Sequence, residues 1–552
     1  MKFWNNQPFS NFPKVLLIFS ILVLAFILRF YQLGQNPPSL DWDETAHGYN
    51  AYSILKTGRD EYGYKLPLYF RSFDDYKPPV YTYLVVPSIA IFGVKDFSVR
   101  FPSAFLGTLT ILFTYLMVKE LFQNKKIALF SAFFLAISPW HLQFSRVAFE
   151  TNSAIFFSVI GTWAFLKGIL ALGKKITLWM SLAALSFGIN LYVYHNARVF
   201  IPLFSLVLIF LFRRKLISKL KFILIPAIIA LIFSIFLIPI VTSISGQLRY
   251  KGTSIFGDVS PLYKSSEQIL QDQNQGQALI GKILHNRRFI YIPILTSNYL
   301  SHLNPDFLFF DADMDRHHAP LIGLLYLWDL PFLILGIYYL VNKKFEKKSR
   351  IIVFAWFLLA PVAAAVTWGV PHDLRSEIYL PTFQIFTTIG IYYFLKRHPK
   401  IIFSISVFLL LISNFTFYLH QYYIHMPYEF SKAWLYGRRE AALFTDSVKD
   451  NYDKVIISTK LEQPHEFWLY YLKYDPARYQ KGGGTVSGGF LETRNHFDKF
   501  YFKPIDFQNM GKQEKTLLVG SPEEFPSNVK TLKQIFYLNG EPAIYIVDGN
   551  EN

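Results

Sequence analysis

No cysteine occurs in the 552 residues, which excludes disulfides, thiol nucleophiles and thiolate metal sites. Charge is sparse as well: 17% of residues are charged, against 52% hydrophobic and 18% aromatic, and the mean hydropathy is +0.26. That is too apolar for an ordinary soluble chain of this size, and membrane solvation accounts for the excess. Nor is there one basic patch. The net charge of +17 is spread as short Lys/Arg clusters between apolar runs, a topological pattern that gives no reason to expect nucleic acid as a partner. Tandem repeats and extended low-complexity tracts are missing, and Gly482-Gly483-Gly484 with Gly488-Gly489 reads as a flexible loop, because no helix start follows to cradle a phosphate. After a polar and aromatic terminus up to Pro13, the apolar run Val15 to Leu28 leads into Arg29-Phe30-Tyr31 without a small-residue cleavage site. It is expected to be an uncleaved first span.

Eleven runs are long enough to cross roughly 30 Å of hydrocarbon: Lys14 to Leu33, Ser98 to Leu121, Ile127 to Phe144, Asn152 to Leu170, Thr177 to Val193, Val199 to Phe212, Phe222 to Val241, Leu321 to Val341, Ile351 to Thr367, Ile378 to Leu395 and Ile401 to Phe417. With the amino terminus inside, the clusters at Lys119/Lys125/Lys126, Lys167/Lys174/Lys175, Arg213/Arg214/Lys215/Lys219/Lys221, Lys343/Lys344/Lys347/Lys348/Arg350 and Lys396/Arg397/Lys400 all fall in the cytoplasm. A further apolar stretch, Pro78 to Val94, would reverse every later cluster if it crossed. It is therefore laid on the outer leaflet or made re-entrant, as Pro78, Pro79 and Pro87 also suggest. It then belongs to one long outer loop, residues 34–97; a second long outer segment covers 242–320, polar at first and aromatic later.

From about His425 the chain turns soluble-like, with strand-like Lys454 to Ser458, Thr516 to Val519 and Ala543 to Val547 and a turn at Asn539-Gly540. The expected fold class is an α-helical polytopic membrane protein with juxtamembrane helices on the outer leaflet, residues 1–424, followed by a small extracytoplasmic α/β domain, 425–552. The expected location is the cell membrane, with the amino terminus cytoplasmic and the carboxyl terminus outside.

The loop after the first span holds Asp41-Trp42-Asp43-Glu44-Thr45-Ala46-His47, then a helix-like stretch from Tyr49 to Lys56 that stops at Gly58. Three carboxylates in four residues against a membrane surface are costly to keep ionised without a partner or a task. One reading has Asp43 capping the Tyr49 helix and Glu44 complementing its dipole; the other is chemistry. The order Asp43-Glu44, Lys77-Pro78-Pro79, Phe92-Gly93 and Arg100-Phe101-Pro102-Ser103 resembles the amino-terminal signature of glycosyltransferase family 39, which includes the protein O-mannosyltransferases and the aminoarabinose transferases of lipid A. The similarity is strongest from Lys14 to Lys175 and extends more weakly to about Lys400.

The resemblance implies the GT-C fold and transfer of a hexose or pentose from a polyprenyl-phosphate carrier, on the outer face, with inversion at the anomeric carbon. The acceptor is open: a glycan, a lipid or a protein. Inversion needs a carboxylate to take the acceptor's proton, while the departing phosphate needs cations. Asp43 matches the family's loop aspartate and is expected to be the base, with Glu44 and Asp41 orienting it or raising its pKa. Glu150 stands where related enzymes commonly place an Asp; alternatively it pairs with Arg146 on one helical face.

Lys77, Arg100, Arg146, Arg198 and Arg375 are the candidate phosphate contacts, with lipid headgroups or local ion pairs as the other way to compensate them. In related enzymes an acidic residue precedes the Lys of Lys-Pro; here it is Tyr76, with Asp74 and Asp75 upstream, so a divalent cation stays open and no metal ligand is assigned. His317-His318, after Asp311, Asp313 and Asp315, resembles a metal cluster, but neighbouring His side chains on an extended chain point to opposite faces. His318 and His372 are taken as cavity residues, and Tyr192, Tyr194 and His195 beside Arg198 as groups at the same outer mouth. A transporter or flippase of lipid-linked oligosaccharide would need charges along its spans and inverted repeats, and a polysaccharide polymerase or ligase would lack the Asp-Glu loop.

Overall fold

Asp41 starts the element that organises the site. In the computed structural model it caps helix Trp42–Thr57: its side chain accepts from the Glu44 amide at 2.8 Å, and the Glu44 carboxylate accepts from the Asp41 amide at 3.3 Å. This reciprocal capping box satisfies two amides that a helix start leaves open. The helix therefore begins seven residues earlier than its apolar pattern suggests, at Trp42 rather than Tyr49, and Asp41 rather than Asp43 is the cap. It ends at Gly58, which takes φ 69°, a left-handed conformation that glycine adopts without a Cβ penalty.

The structure describes residues 14–73, 75–342, 344–489, 492–510 and 514–551. The terminus up to Pro13, Asp74 and Lys343 lie outside the described residues. By contacts the chain divides into two units, one of residues 1–17, 111–140 and 154–411, the other of 18–110, 141–153 and 412–552.

The second unit holds the capped helix. Its core joins Tyr49, Tyr81, Val85 and Val99 with Val455, Trp468, Leu469 and Leu517, so the segment after the last apolar run packs directly on the loop after the first. Gly48 makes this possible: a Cβ there would lie 2.5 Å from the ring of Tyr470 in helix Pro464–Tyr471. Two short strands, β1 (Phe70–Ser72) and β2 (Asp75–Lys77), form an antiparallel hairpin that pairs Phe70 with Lys77. Helix Val80–Phe92 follows; its 13 residues span about 20 Å, too short to cross hydrocarbon.

A six-stranded sheet, in the order β4-β5-β3-β6-β8-β7, is built from β3 (Lys454–Ile457), β4 (His496–Phe497), β5 (Phe500–Phe502), β6 (Thr516–Gly520), β7 (Thr531–Phe536) and β8 (Pro542–Asp548). β3 runs parallel to β5 and β6, and the outer pairs are antiparallel. The glycine loop packs closely rather than hanging free. A Cβ on Gly484 would meet the Glu61 carbonyl at 2.5 Å, and one on Gly488 the backbone of Phe73 at 2.5 Å.

The other unit is helical. Helices Asp329–Val341 and Thr382–Arg397 press backbone on backbone at two reciprocal glycines, Gly336 against Phe386 and Gly390 against Phe332. Small residues at such contacts are how helices approach in lipid. The segment 242–320 folds as short helices, the longest being Ser260–Asn274 and Arg287–Ser301.

Across the described residues five helical stretches are long and apolar enough to cross a membrane: Asp96–Phe122, Glu150–Leu170, Leu220–Thr242, Lys347–Ala365 and Ile401–Glu429. Two bent pairs, Lys125–Ile137 with Pro139–Ser145 and Asp373–Tyr379 with Thr382–Arg397, raise the number to seven. Pro139 and Pro381 stand at the two breaks. Several of the eleven apolar runs fold as shorter helices, such as the 13-residue Asp329–Val341.

Candidate functional site

Arg100 is the keystone of the carboxylate loop. Its Nε and Nη2 donate to the two Glu44 oxygens, both at 2.8 Å, and the guanidinium also reaches the carbonyls of Pro37 at 2.8 Å and Ser39 at 2.6 Å. Both side chains are wholly buried. The Ala148 amide donates to Glu44 Oε1 at 2.9 Å, which completes the carboxylate's shell. Bidentate pairing of this kind neutralises charge and fixes geometry together. Arg100 thus spends its donors inside the fold, and Glu44 serves Arg100 and the helix cap. Asp41 is likewise occupied as the cap.

Arg146 is likewise engaged inside the fold. Its guanidinium donates to Tyr422 Oη at 2.9 Å and to the carbonyls of Leu28 and Asn36 at 2.8 Å each, and it lies over the rings of Tyr422 and Tyr423. The proposed pairing with Glu150 does not form, because the helix breaks after Ser145 and a new one starts at Glu150. Glu150 faces His47 instead, at 3.3 Å from Nε2, while Nδ1 of the same ring lies 2.8 Å from Thr82 Oγ1.

What remains open is Asp43. In the first turn of the capped helix, its carboxylate lies 2.5 Å from the Lys77 ammonium delivered by the β1–β2 hairpin. The Asp43 side chain is 35% exposed and that of Lys77 10%, whereas Glu44 and Arg100 are at 0%. Burial pulls the Lys77 ammonium down, but Asp43, Glu150 and Asp41 more than restore it, so its pKa ends above the ordinary lysine value and it stays charged. The site thus offers one accessible carboxylate beside one retained cation.

The remaining candidates lie in the other unit. Arg198 Nη1 is 2.9 Å from His195 Nδ1, beside the buried Tyr194. Asn196 donates to the Arg375 carbonyl at 2.9 Å, so the two expected mouth segments do meet. Arg375 donates to Thr367 Oγ1 at 2.7 Å and to the Trp368 carbonyl at 2.5 Å. The adjacent histidines part company: His318 Nδ1 sits 2.9 Å from the Ala319 carbonyl, while His317 Nδ1 lies between Asp373 at 2.7 Å and Asp313 at 2.9 Å. His372 Nδ1 is 2.9 Å from the other oxygen of Asp313. Asp313, His372 and Asp373 have metal-compatible spacing, but His317 already supplies a positive charge between the two carboxylates. Despite its burial, Asp373 and Asp313 push it up to about 10.

Sequence reasoning missed the part played by His47, although it follows Asp43 by four residues and so shares its helix face.

Comparison with known proteins converges on one family. Residues 76–238 match the family described as dolichyl-phosphate-mannose-protein mannosyltransferase, a stretch that starts beside Lys77 and includes Arg100 and Glu150. The structure of ArnT from Cupriavidus metallidurans bound to undecaprenyl phosphate shares the fold at TM-score 0.52, with 12% identity, over 96% of this chain and 97% of that one. Residues 76–238 thus resemble that mannosyltransferase family, and the chain has the fold of ArnT. Two relatives match parts of this chain. An uncharacterized protein of Aquifex aeolicus (strain VF5) is 28% identical over 31% of this chain and 33% of its own length, and the putative mannosyltransferase YkcB of Bacillus subtilis (strain 168) is 26% identical over 32% and 24%. The matched stretch thus spans a third or less of either relative. With these apolar helices and a fold shared with ArnT, the chain is a multi-pass membrane protein.

Proposed function

We propose that this protein is a GT-C-type glycosyltransferase that transfers a sugar from a polyprenyl-phosphate carrier to an acceptor at the non-cytoplasmic face of the membrane, with inversion. The observation that carries the reading is the Asp43–Lys77 pair, the one place in the carboxylate cluster where an acid and a cation stay partly open together. Asp43 takes the proton from the acceptor's nucleophilic atom as that atom bonds to the anomeric carbon. The bond from that carbon to phosphate oxygen breaks in line, and polyprenyl phosphate departs with its charge held by Lys77. The family description names dolichyl-phosphate-mannose, and ArnT was solved with undecaprenyl phosphate, which supports a lipid-phosphate donor.

Membranes supplied with polyprenyl-phosphate sugar should lose transfer by about 10²–10⁴-fold on Asp43→Asn, with an unchanged melting temperature. Turnover near that of the unaltered chain would remove Asp43 from the mechanism.

The topology belongs to the same proposal: eleven spans, the amino terminus inside, and 425–552 outside, where it shares its core with the loop after the first span instead of forming a separate domain. The absence of cysteine gives a clean test. A single cysteine at exposed Asn528 should react with a membrane-impermeant maleimide in whole cells, and one at exposed Lys215 should be protected. The opposite labelling would invert the assignment.

A further inference from the structure

Deep in the unit that carries Asp43, a second acidic group takes no part in the proposed transfer. Glu61, in the loop after the capped helix, and His465 and Glu466, at the start of helix Pro464–Tyr471, are 0%, 4% and 1% exposed. One ligand atom from each lies within 4.8 Å of the others. Glu61 is held in place from behind: Asn50 Nδ2 donates to one oxygen at 2.8 Å and Thr485 Oγ1 to the other at 2.6 Å. Glu466 Oε2 and His465 Nε2 are buried with no hydrogen-bond partner, and His465 Nε2 stands 3.5 Å from Glu466 Oε1.

Two buried carboxylates need a counter-charge, since an unpaired one costs several kcal/mol in such surroundings. The nearby cation, Lys77, is committed to Asp43. A proton shared between Glu61 and Glu466 would settle the two acids but would leave the His465 nitrogen unsatisfied. A divalent ion would use all three. The buried His465 Nε2 has no hydrogen-bond partner and stands beside the Glu466 carboxylate, placed to offer a lone pair to an ion. Two carboxylate oxygens and one imidazole nitrogen form a mixed donor set suited to first-row ions of the zinc and manganese kind. Asn50 and Thr485 orient the Glu61 carboxylate as outer partners do in metal sites.

We propose that Glu61, His465 and Glu466 bind one divalent transition-metal ion, which pins the loop after the capped helix to the carboxyl-terminal segment. The ion's task is positional. It ties down the chain just after the helix that presents Asp43 and touches no reacting atom.

The test uses the full-length chain in detergent, dialysed into metal-free buffer and analysed by inductively coupled plasma mass spectrometry. About one equivalent of zinc or manganese per chain is expected, as a preformed three-ligand site should retain its ion. Glu466→Gln and His465→Gln should each keep less than about a tenth of it, whereas Asp313→Asn, in the other His-Asp cluster, should keep all of it. In the unaltered chain EDTA should lower the melting temperature, and ZnCl2 or MnCl2 should restore it. This melt needs no variant and so decides the matter even if His465→Gln fails to fold. A chain that is metal-free and whose melting is indifferent to EDTA, ZnCl2 and MnCl2 would overturn the proposal in favour of the shared proton. So would a metal content unchanged by Glu466→Gln.

Discussion

Each unit buries a cluster of carboxylates, and the two are neutralised by different chemistry. Around Asp43 the counter-charges are permanent: Arg100 holds Glu44 bidentately and Lys77 holds Asp43 at 2.5 Å. Around Asp313 they are imidazoles, with His317 lying between Asp313 and Asp373 and His372 on the far oxygen. Permanent cations keep a site charged throughout the neutral range, as the proposed proton acceptor requires. Imidazoles make a cluster whose strength follows pH. The first arrangement also leaves one carboxylate with 35% of its side chain exposed, whereas both carboxylates that flank His317 are mostly buried, at 11% and 0%. An open acid beside a fixed cation reads as a working site, and a closed His-Asp network reads as a fastening.

The comparison breaks most readily at Arg100. Arg100→Leu strands Glu44 as a buried unpaired charge and should cost about 3–5 kcal/mol, read as a large fall in melting temperature and yield. Much of that should return in Arg100→Leu/Glu44→Leu, because the penalty lies in the orphaned charge. A double variant as unstable as the single one would mean that the carbonyls of Pro37 and Ser39, and not Glu44, are what Arg100 chiefly serves. Next comes Lys77→Gln, which keeps a donor and removes the charge. If the ammonium holds a departing phosphate, turnover should fall by about 10²–10³-fold with little change in melting. A loss of only a few-fold would make Lys77 a mere neighbour of Asp43.

The His cluster is sharpened by pH. His317 rises from its ordinary 6.5 to about 10 in the fold. Its contribution to stability is therefore complete below about pH 6.5, declines by up to about 1.4 kcal/mol per pH unit above that, and is gone past about pH 10. Melting temperatures of the unaltered chain and His317→Asn should differ most near pH 6 and converge toward pH 10. A difference constant with pH would show that His317 is neutral in the fold.

Much of this was legible in the sequence, and the part that was not has a common cause. The acidic loop behind the first apolar run, the helix stop at Gly58, the strands near Val455, Leu517 and Ile544 and the Asn539-Gly540 turn follow from local pattern, which depends on residues a few positions apart. The division of labour among Asp41, Asp43 and Glu44 does not, because it is set by distant partners: Arg100 is 56 residues from Glu44 and Ala148 is 104. Without them, the three carboxylates look interchangeable. The partners of Arg146 are as distant: Leu28, Asn36 and Tyr422 lie 118, 110 and 276 residues from it in sequence. His465 and Glu466 carry no local signal at all, since their partner Glu61 sits some four hundred residues earlier.

The smallest expected effect separates capping from catalysis within a single turn. Asp41→Ala removes the acceptor for the Glu44 amide and half of the capping box, which should cost about 1 kcal/mol and lower the melting temperature by a few degrees. Glu44 stays clamped by Arg100 and Ala148, so the turn should loosen without unfolding. Transfer should fall only in proportion to the looser placement of Asp43. Asp43→Asn should do the reverse, abolishing transfer at unchanged melting temperature. If Asp41→Ala instead abolished transfer without changing the melt, Asp41 would be the group that meets the acceptor, and the exposure of Asp43 would need another explanation.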